Sequence, residues 1–169
     1  MSVVLIGMMG AGKTTVGKQA ARALGFRFAD LDDIIEAAAG RSLSKIFACD
    51  GETAFREMET RALEELVGTA RLVLSTGGGT PLRPGNLDLL RRIGVVIYLE
   101  ASESLLCERL ARGRKGRPLL ADSPISETVR ELLTQRSRVY EKADFNLRVD
   151  NHSLMDVALE VKSIAERMS

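Results

Sequence analysis

Residues 7–14 have the types and the spacing to bind a polyphosphate. They read GMMGAGKT, which fits the pattern G-x-x-x-x-G-K-[ST], and they directly follow an apolar run at 3–6. Successive backbone N–H groups on a glycine-rich turn can surround an anion, and the positive end of the next helix dipole strengthens that attraction. Gly7, Gly10 and Gly12 suit such a turn because glycine adopts positive φ freely. We therefore predict a site for a nucleoside triphosphate.

Two side chains of this motif carry chemistry. Lys13 is expected to reach the β- and γ-phosphates, and the hydroxyl of Thr14 is expected to ligate Mg²⁺. The alternative is a glycine-rich turn that binds nothing. The preceding apolar run and the following helical segment disfavour that alternative, because a phosphate-binding loop lies between a strand and a helix.

A pair of carboxylates, Asp30 and Asp32, follows the second apolar run. Alternate residues of an extended strand end project to the same side, so the two are predicted to lie together at the carboxyl edge of a sheet. Two like charges at close range favour a metal ion or a cationic partner. We expect one carboxylate to assist Mg²⁺ and the other to contact a substrate hydroxyl. The alternative is a helix N-cap cluster that includes Asp33.

Arg56 is a candidate for binding a carboxylate. It lies three residues before Glu59 on a predicted helix, so the two side chains are neighbours on one face and the guanidinium is held in position. Such an arginine can bind a carboxylate bidentately, although a surface ion pair also explains the spacing. The same two interpretations, carboxylate binding and a surface ion pair, apply to Arg136 and Arg138 in the segment QRSRVY.

The sequence STGGG at 75–79 ends the third apolar run. Three consecutive glycines expose backbone N–H groups that a small polar ligand can approach without steric obstruction. Because a plain turn rarely needs three glycines, we predict that they line a ligand site.

Residues 112–120, RGRKGRPLL, form a cationic segment interrupted by glycines. Next to a polyanion site we interpret this segment as a mobile lid. A solvated basic loop is the alternative.

The pattern of the whole chain predicts one α/β domain of 169 residues. Short apolar runs alternate with longer amphipathic segments, which is typical of a parallel sheet covered by helices on both faces. The predicted strands are 3–6, 26–29, 72–75, 95–99 and 145–149. The predicted helices are 13–24, 33–39, 52–67, 86–92, 102–112, 126–142 and a last one that is opened by Ser153 and Asp156 and ends near 168. Residues 33–65 hold helices with no strand between them, so we predict an insertion at the carboxyl ends of the strands, where such sheets bind ligands.

Composition limits the other function classes. A net charge of +1 and only two tyrosines, five phenylalanines and no tryptophan disfavour nucleic-acid binding. The apolar stretches are too short for a signal peptide or a membrane span, so we expect a cytoplasmic protein that does not bind membranes. Cys49 and Cys107 are interpreted as reduced, partly buried residues, and the lone His152 as a surface residue rather than a metal ligand.

Several motifs resemble, in the same order, those of the shikimate kinase family. They are GMMGAGKTTVG at 7–17, FADLD at 28–32, GETAFREME at 51–59, STGGG at 75–79, RPLL at 117–120 and the segment around Arg136. The phosphate loop is specific by itself, and the joint order of all the motifs is highly specific. The resemblance implies a phosphate-loop fold of the nucleoside-monophosphate-kinase-like type, with a five-stranded parallel sheet, a helical substrate-binding insertion and a lid. It also implies transfer of the γ-phosphoryl group of ATP to the 3-hydroxyl of shikimate.

By position, the resemblance implies a set of site residues. The ATP phosphates would contact Gly10, Ala11, Gly12, Lys13, Thr14 and Thr15, and Mg²⁺ would bind Thr14 and Asp30. Shikimate would contact Asp32, Arg56, Gly78 and Arg136, with the two arginines at its carboxylate. Arg117 would move from the lid onto the transferring phosphate, and Arg112 or Arg114 would stack near the adenine. The expected catalytic residues are therefore Lys13, Asp32 and Arg117.

Other functions are compatible with part of this pattern. Another small-metabolite kinase of the same fold, such as a gluconate kinase, also acts on a carboxylated polyol, but the motifs FREME and STGGG favour shikimate. A non-catalytic ATP-dependent switch would retain Lys13 without needing Asp32, Arg56 and Arg136. A GTPase is disfavoured because the chain has no N-K-x-D element. We expect a monomeric kinase domain, 1–169, with the insertion at 33–65 and the lid at 112–122, whose partners are ATP and shikimate.

Overall fold

The computed structural model describes residues 1–112 and 124–168. Within them, five strands form one sheet in which every neighbouring pair is parallel. The strands are β1 (Val3–Ile6), β2 (Arg27–Asp30), β3 (Leu72–Ser75), β4 (Val95–Glu100) and β5 (Phe145–Arg148), and their order in the sheet is β2-β3-β1-β4-β5. The predicted five-stranded parallel sheet is confirmed.

Helices connect the strands, as parallel pairing requires. In the described part of the chain they are α1 (Lys13–Leu24), α2 (Leu31–Ala39), α3 (Leu43–Leu66), α4 (Asn86–Ile93), α5 (Glu103–Arg112), α6 (Ile125–Tyr140) and α7 (Leu154–Arg167). A 3₁₀ turn, Thr80–Leu82, precedes α4 and was not predicted. Gly25 and Gly40, both in the left-handed conformation, end α1 and α2 as predicted. The predicted capping box of α7 is confirmed, because Ser153 and Asp156 bond reciprocally.

The central strand β1 is the best-buried part of the fold. Its four residues have no exposed surface, and it pairs with β3 on one side and with β4 on the other. Helix α1 packs against β1, β2, β3 and α7, whereas α4 packs against β1 and β4. The continuous apolarity of the run at 3–6 therefore corresponds to a strand that is covered on both faces. The loop that follows β1 starts from this buried position.

Helix α2 begins earlier than predicted. It starts at Leu31 rather than at 33, because the carboxylate of Asp30 caps it by accepting a hydrogen bond from the backbone N–H of Asp32. Asp32 thus lies in the first turn of a helix and not on an extended strand end, so that part of the prediction is wrong. Asp30 and Asp32 still lie close together, but the cap and not the pleat of a strand is the reason.

Helix α3 contains the helix that was predicted from 52. Gly51, with φ 80° and ψ 177°, interrupts the helical geometry of α3 and separates its two parts. The part before Gly51 was not predicted. Ser42 caps this first part by accepting a hydrogen bond from the N–H of Lys45.

Several other expectations can be compared with the described residues. Residues 33–65, all of which are described, contain helices and no strand, as predicted. The predicted lid at 112–122 lies outside the described residues except for Arg112, and the single kinase domain at 1–169 stays a prediction. Cys107 is partly buried as expected, but Cys49 is exposed, and both are free thiols. His152 is exposed. No helix in the described ranges is both long enough and apolar enough to cross a bilayer.

We expect Gly51→Ala to lower the free energy of unfolding more than Gly40→Ala does. A Cβ at either position meets no atom within 4 Å, so both substitutions test the backbone alone. Gly40 (φ 65°, ψ 21°) has the left-handed helical conformation, which costs alanine about 1 kcal/mol. Gly51 (φ 80°, ψ 177°) lies near a region used almost only by glycine, for which we expect about 2 kcal/mol or more. Urea unfolding measures both losses, and equal losses would contradict the prediction.

Candidate active site

The loop between β1 and α1 has the conformation that its glycines predicted. Gly7, Gly10 and Gly12 have φ values of 139°, 84° and 101°, which other residues rarely adopt. Gly12 is the N-cap residue of α1, and no side chain of the described residues caps this helix. The positive end of the helix dipole at this point attracts anions.

A cavity of about 560 Å³ opens at the carboxyl ends of β1, β2 and β3. Its volume is within the usual range for small-molecule sites. Residues predicted to bind ATP, metal or substrate form much of the wall: Gly10, Gly12, Lys13, Thr14, Thr15, Asp30, Asp32 and Gly78. The other residues of the wall are Met9, Leu43, Ser75, Thr76, Gly77, Arg109 and Leu154. Ala11 is buried and does not line the cavity, although its carbonyl oxygen accepts a hydrogen bond from Arg109.

Lys13 and Thr14 start α1 and face different partners. Lys13 Nζ donates to the carbonyl oxygens of Gly7 at 2.8 Å and Met8 at 2.9 Å, so the ammonium group is held against its own loop. Thr14 Oγ1 donates to Asp30 Oδ2 at 2.9 Å. This bond brings together the two residues that were predicted to bind Mg²⁺, and both present oxygen, the ligand atom that this ion prefers.

The carboxylate of Asp32 is partly buried close to two other carboxylates. Burial, followed by the negative charges of Asp30 and Glu59, raises the pKa of Asp32 to about 6, while Lys13 acts in the opposite direction. A carboxyl group with this pKa changes charge close to neutral pH, so its state depends on what binds beside it. Asp33, the third carboxylate of the predicted cluster, is exposed and does not line the cavity.

The three glycines after β3 make room for side chains from other elements. None of the three has a φ in the left-handed region, so close approach and not conformation requires glycine here. Among the atoms nearest to an added Cβ would be Glu59 Oε1 at 3.1 Å from Gly77, Arg136 Nη1 at 3.0 Å from Gly78 and Arg56 Nη2 at 2.5 Å from Gly79. This triple-glycine turn therefore lies directly against charged side chains, and two of its glycines, Gly77 and Gly78, also line the cavity.

Arg56 is held by a buried carboxylate. Its Nη1 donates to Glu59 Oε2 at 2.7 Å, and Glu59 has no exposed surface. The other oxygen of Glu59 accepts a hydrogen bond from the hydroxyl of Thr80, which is also fully buried. The interpretation of Arg56 and Glu59 as a surface ion pair is therefore wrong. The prediction that Glu59 holds the guanidinium of Arg56 in position is confirmed, whereas the contact between Glu59 and Thr80 was not predicted.

Arg136 is a buried cation on α6. Only 7% of the Arg136 residue is exposed, and the Nε atom of its side chain has no hydrogen-bond partner among the described residues. Within these residues it forms no ion pair, but it interacts with the hydroxyl of Tyr140 one turn later. A buried guanidinium without a counter-charge is unfavourable, so this position favours binding of an anion. Arg138, by contrast, is exposed.

Arg109 and Leu154 line the part of the cavity near α5 and α7. Arg109 Nη1 donates to the carbonyl oxygens of Gly10 and Ala11 at 3.2 Å and 3.0 Å. A Cβ on Gly12 would lie 2.9 Å from Leu154 Cδ2. Neither Arg109 nor Leu154 was identified from the sequence, because neither belongs to a recognisable motif.

Three of the remaining predicted residues, Arg56, Arg112 and Arg136, are described and do not line the cavity. Arg56 and Arg136 lie next to the triple-glycine turn. Arg112 is directed to solvent, where its side chain is 77% exposed and pairs with Glu108. Arg114 and Arg117 lie outside the described residues.

A sequence model of the shikimate kinase family matches residues 9–166, which include every residue found to line the cavity. The chain belongs to the shikimate kinase family. It is 42% identical to the shikimate kinase of Thermodesulfovibrio yellowstonii, with 99% of this chain and 96% of that protein covered. It is 44% identical to the shikimate kinase of Geobacter sulfurreducens, with 95% and 88% covered.

Solved structures show the same relationship. The structure of a shikimate kinase from Acinetobacter baumannii in complex with shikimate superposes with a TM-score of 0.91 at 35% identity, covering 99% of this chain and 94% of that one. A gluconokinase from Sinorhizobium meliloti superposes with a TM-score of 0.59 at 22% identity, covering 99% and 92%, which shows a shared fold only. The fold is the predicted phosphate-loop fold of the nucleoside-monophosphate-kinase-like type.

We expect Asp32→Asn to stabilise the protein at neutral pH in the absence of metal and ligands. Because the folded pKa of about 6 lies above the ordinary value of 3.8, this carboxyl group contributes its full stability only below about pH 4 and loses it as the pH rises through 6. The gain in unfolding free energy from Asp32→Asn should therefore be about 2 kcal/mol larger at pH 7.5 than at pH 4.

Denaturant unfolding at the two pH values, with EDTA present, measures that gain. Asp33→Asn is the matched control, because Asp33 lies in the same first turn of α2 but is exposed. A gain for Asp32→Asn that is the same at both pH values, or that Asp33→Asn reproduces, would contradict the account of a buried, crowded carboxylate.

Proposed function

We propose that the chain performs the reaction of its family, transfer of the γ-phosphoryl group of ATP to the 3-hydroxyl of shikimate, within the cavity described above. One observation carries this proposal. One cavity combines an anion-binding loop after β1 with the partly buried carboxylate of Asp32, and two cations that can receive a carboxylate lie next to the triple-glycine turn that lines it. A small carboxylated polyol needs cations at one end and hydrogen-bond acceptors at the other.

The nucleotide half of the site is proposed to bind ATP through the phosphate loop. Backbone N–H groups of Gly10, Gly12, Thr14 and Thr15 would surround the phosphates, and Lys13 would stabilise the charge that develops on the transferred group. The N–H of the buried Ala11 donates to the carbonyl oxygen of Met8, so Ala11 is proposed to support the loop rather than to contact a phosphate. Arg109 and Leu154, which both lie close to Gly12, are proposed to contact the adenine. Arg112 is exposed and pairs with Glu108, and a contact of Arg114 with the adenine stays a prediction.

The oxygen atoms of Thr14 and Asp30 fit a Mg²⁺ site. They lie 2.9 Å apart on the cavity wall, and the described residues contain no cluster of three or more His, Cys, Asp or Glu side chains that could hold a metal without help. Mg²⁺ commonly uses one or two protein ligands together with phosphate oxygens and water. When bound, the ion would neutralise charge on the β- and γ-phosphates.

The acceptor half is proposed to hold shikimate between Asp32 and the two arginines. Arg56 and Arg136 would bind the carboxylate, the backbone of Gly78 would contact the ring, and Asp32 would orient the attacking hydroxyl. Phosphoryl transfer has a loose transition state in which the nucleophile keeps most of its proton, so orientation by Asp32 matters more than its basicity. The proton of the hydroxyl passes to Asp32 as the new P–O bond forms.

Arg117 and the segment 112–122 complete the proposal. Arg117 would contact the transferring phosphate from a lid, which would exclude water during the reaction. We also propose that the protein works as a monomer. ATP is a cytoplasmic metabolite, which supports a cytoplasmic location.

The direct test is ADP release from ATP in the presence of Mg²⁺, measured with and without shikimate. We expect shikimate to stimulate release strongly and gluconate, an open-chain carboxylated polyol, to have little effect. Folded Lys13→Ala should lose roughly 10²-fold or more in turnover, the scale of one transition-state electrostatic contact. Equal stimulation by gluconate, or a rate of ADP release that neither compound changes, would refute the proposal.

We expect Arg136→Lys and Arg56→Lys both to weaken binding of shikimate, by about 1.5–3 kcal/mol, with the larger loss for Arg136→Lys. Lysine keeps the charge but loses the bidentate geometry of the guanidinium. Arg56 already shares its charge with Glu59, whereas Arg136 forms no ion pair among the described residues. Calorimetric titration of the nucleotide-free variants measures the losses.

Arg130→Lys is the control for this comparison, because Arg130 lies on the same helix but pairs with Glu103 at the surface. It should bind shikimate as the wild type does. If an analogue without the carboxylate suffers the same losses as shikimate in the two variants, the arginines do not bind that group.

A further inference from the structure

The buried hydroxyl of Tyr140 lies next to the triple-glycine turn and contacts more than one part of the site. Tyr140 has no exposed surface and does not line the cavity. Its hydroxyl lies 2.5 Å from the carbonyl oxygen of Gly78 and 3.8 Å from Met8 Sδ in the phosphate loop. A Cβ added to Gly78 would lie 3.0 Å from Arg136 Nη1 and 3.5 Å from the Tyr140 hydroxyl, so the guanidinium and the hydroxyl lie close together on the same side of Gly78. Three parts of the site therefore come together around this oxygen atom.

The direction of these hydrogen bonds is fixed by chemistry. A guanidinium has donors and no acceptor, so Arg136 can face only a lone pair of the Tyr140 oxygen. The single hydroxyl proton then goes to the carbonyl oxygen of Gly78, which is a stronger acceptor than a thioether sulfur. Burial favours the neutral phenol and raises the pKa of Tyr140, although Arg136 acts against this rise. The hydroxyl thus links a cation to a backbone carbonyl in one defined orientation.

The ring of Tyr140 has a separate role in packing. It lies against the ring of Tyr98 on β4, with the ring centroids 5.1 Å apart and the planes tilted by 35°. Packing therefore holds the ring in place independently of the hydroxyl. Replacing Tyr140 by phenylalanine would remove the polar junction and keep the aromatic contact.

We propose that Tyr140 is a positioning residue for the acceptor substrate, because its hydroxyl holds the Gly78 carbonyl and the Arg136 guanidinium in the arrangement that receives a carboxylate. This inference rests on the proposed function of the same site. Loss of the hydroxyl leaves the Gly78 carbonyl without this donor, and it frees the guanidinium of Arg136 to move within its pocket. Affinity for a carboxylated acceptor then depends on a group that does not touch the acceptor.

The first experiment compares Tyr140→Phe with the wild type in equilibrium binding and steady-state kinetics. We expect the Kd and the KM for shikimate to rise roughly tenfold, the scale of one hydrogen bond that involves a charged group. The KM for ATP should change less than about twofold, because Tyr140 contacts the nucleotide loop only through Met8. An analogue of shikimate without the carboxylate should bind both proteins with similar affinity. In the Arg136→Lys background, Tyr140→Phe should add little.

Tyr98→Phe is the matched control. It removes a hydroxyl from the other ring of the same pair, and among the described residues that hydroxyl bonds neither to Gly78 nor to Arg136. It should leave the KM for shikimate unchanged. A KM for shikimate that is the same in Tyr140→Phe and the wild type would overturn the inference. So would a loss that is equally large for the analogue without the carboxylate, since a general packing defect would not depend on that group.

A second measurement uses the wild-type protein and does not depend on how a variant folds. The chain contains only two tyrosines, so labelling with ¹³Cζ-tyrosine gives two signals, with Tyr98 as the internal reference. Saturation with shikimate should shift the Tyr140 signal, because the carboxylate neutralises the cation beside that hydroxyl, and the analogue without the carboxylate should not. An unshifted Tyr140 signal on saturation would overturn the inference. Failure of the wild type to bind shikimate at all would instead refute the proposed function.

Discussion

The site depends on the absence of side chains at Gly77, Gly78 and Gly79. A Cβ at any of these positions would come within 2.5–3.1 Å of a polar atom of a charged side chain, because Glu59, Arg136 and Arg56 fill that space. Three charged groups from two distant helices can therefore lie behind one short stretch of backbone. The two cations lie next to a turn that lines the cavity, and the Arg136 residue is only 7% exposed. A larger residue in this turn would displace the charges that define the acceptor half of the site.

The order of the strands divides the cavity into two halves. β1 is central and carries the phosphate loop, β2 and β3 on one side carry Asp30 and the triple-glycine turn, and β4 and β5 on the other side precede α5 and α7. Asp32 and Arg56 thus lie on connections from the β2 and β3 side, whereas Arg136 and the residues proposed to contact the adenine lie on connections from the β4 and β5 side. In parallel sheets, ligands bind at such points, where connections from a central strand leave in opposite directions. Under the proposed function, the loop after β1 would hold the phosphoryl group between residues that come from both sides of the sheet.

The sequence predicted the parts of the site that depend on local pattern. The phosphate loop, the strands at 3–6 and 72–75 and the sheet type follow from glycine spacing and apolar runs, and the structure confirms them. The contacts of Glu59 with Thr80, of Arg109 with Ala11 and of Tyr140 with Gly78 were not predicted. They join residues 21, 98 and 62 positions apart, and the periodicity of a sequence gives no information on such pairs. The proximity of Asp30 and Asp32 was predicted for the wrong reason, since a helix cap and an extended strand end both bring alternate residues together. The residues assigned to binding stay predictions.

The charges of the acceptor half are unbalanced in two places. Glu59 neutralises Arg56, but Arg136 has no ion pair among the described residues, and Asp32 lies beside two other carboxylates that raise its pKa. A ligand with a carboxylate at one end, bound together with a divalent cation at the other, would correct both imbalances at once. Under the proposed function, binding energy from the contact with Arg136 would hold a hydroxyl at Asp32. A rigid ring keeps its carboxylate and its hydroxyl at a fixed separation, whereas an open chain loses conformational entropy when it is bound. The same pair of imbalances would then favour binding of a cyclic acceptor over an open-chain one.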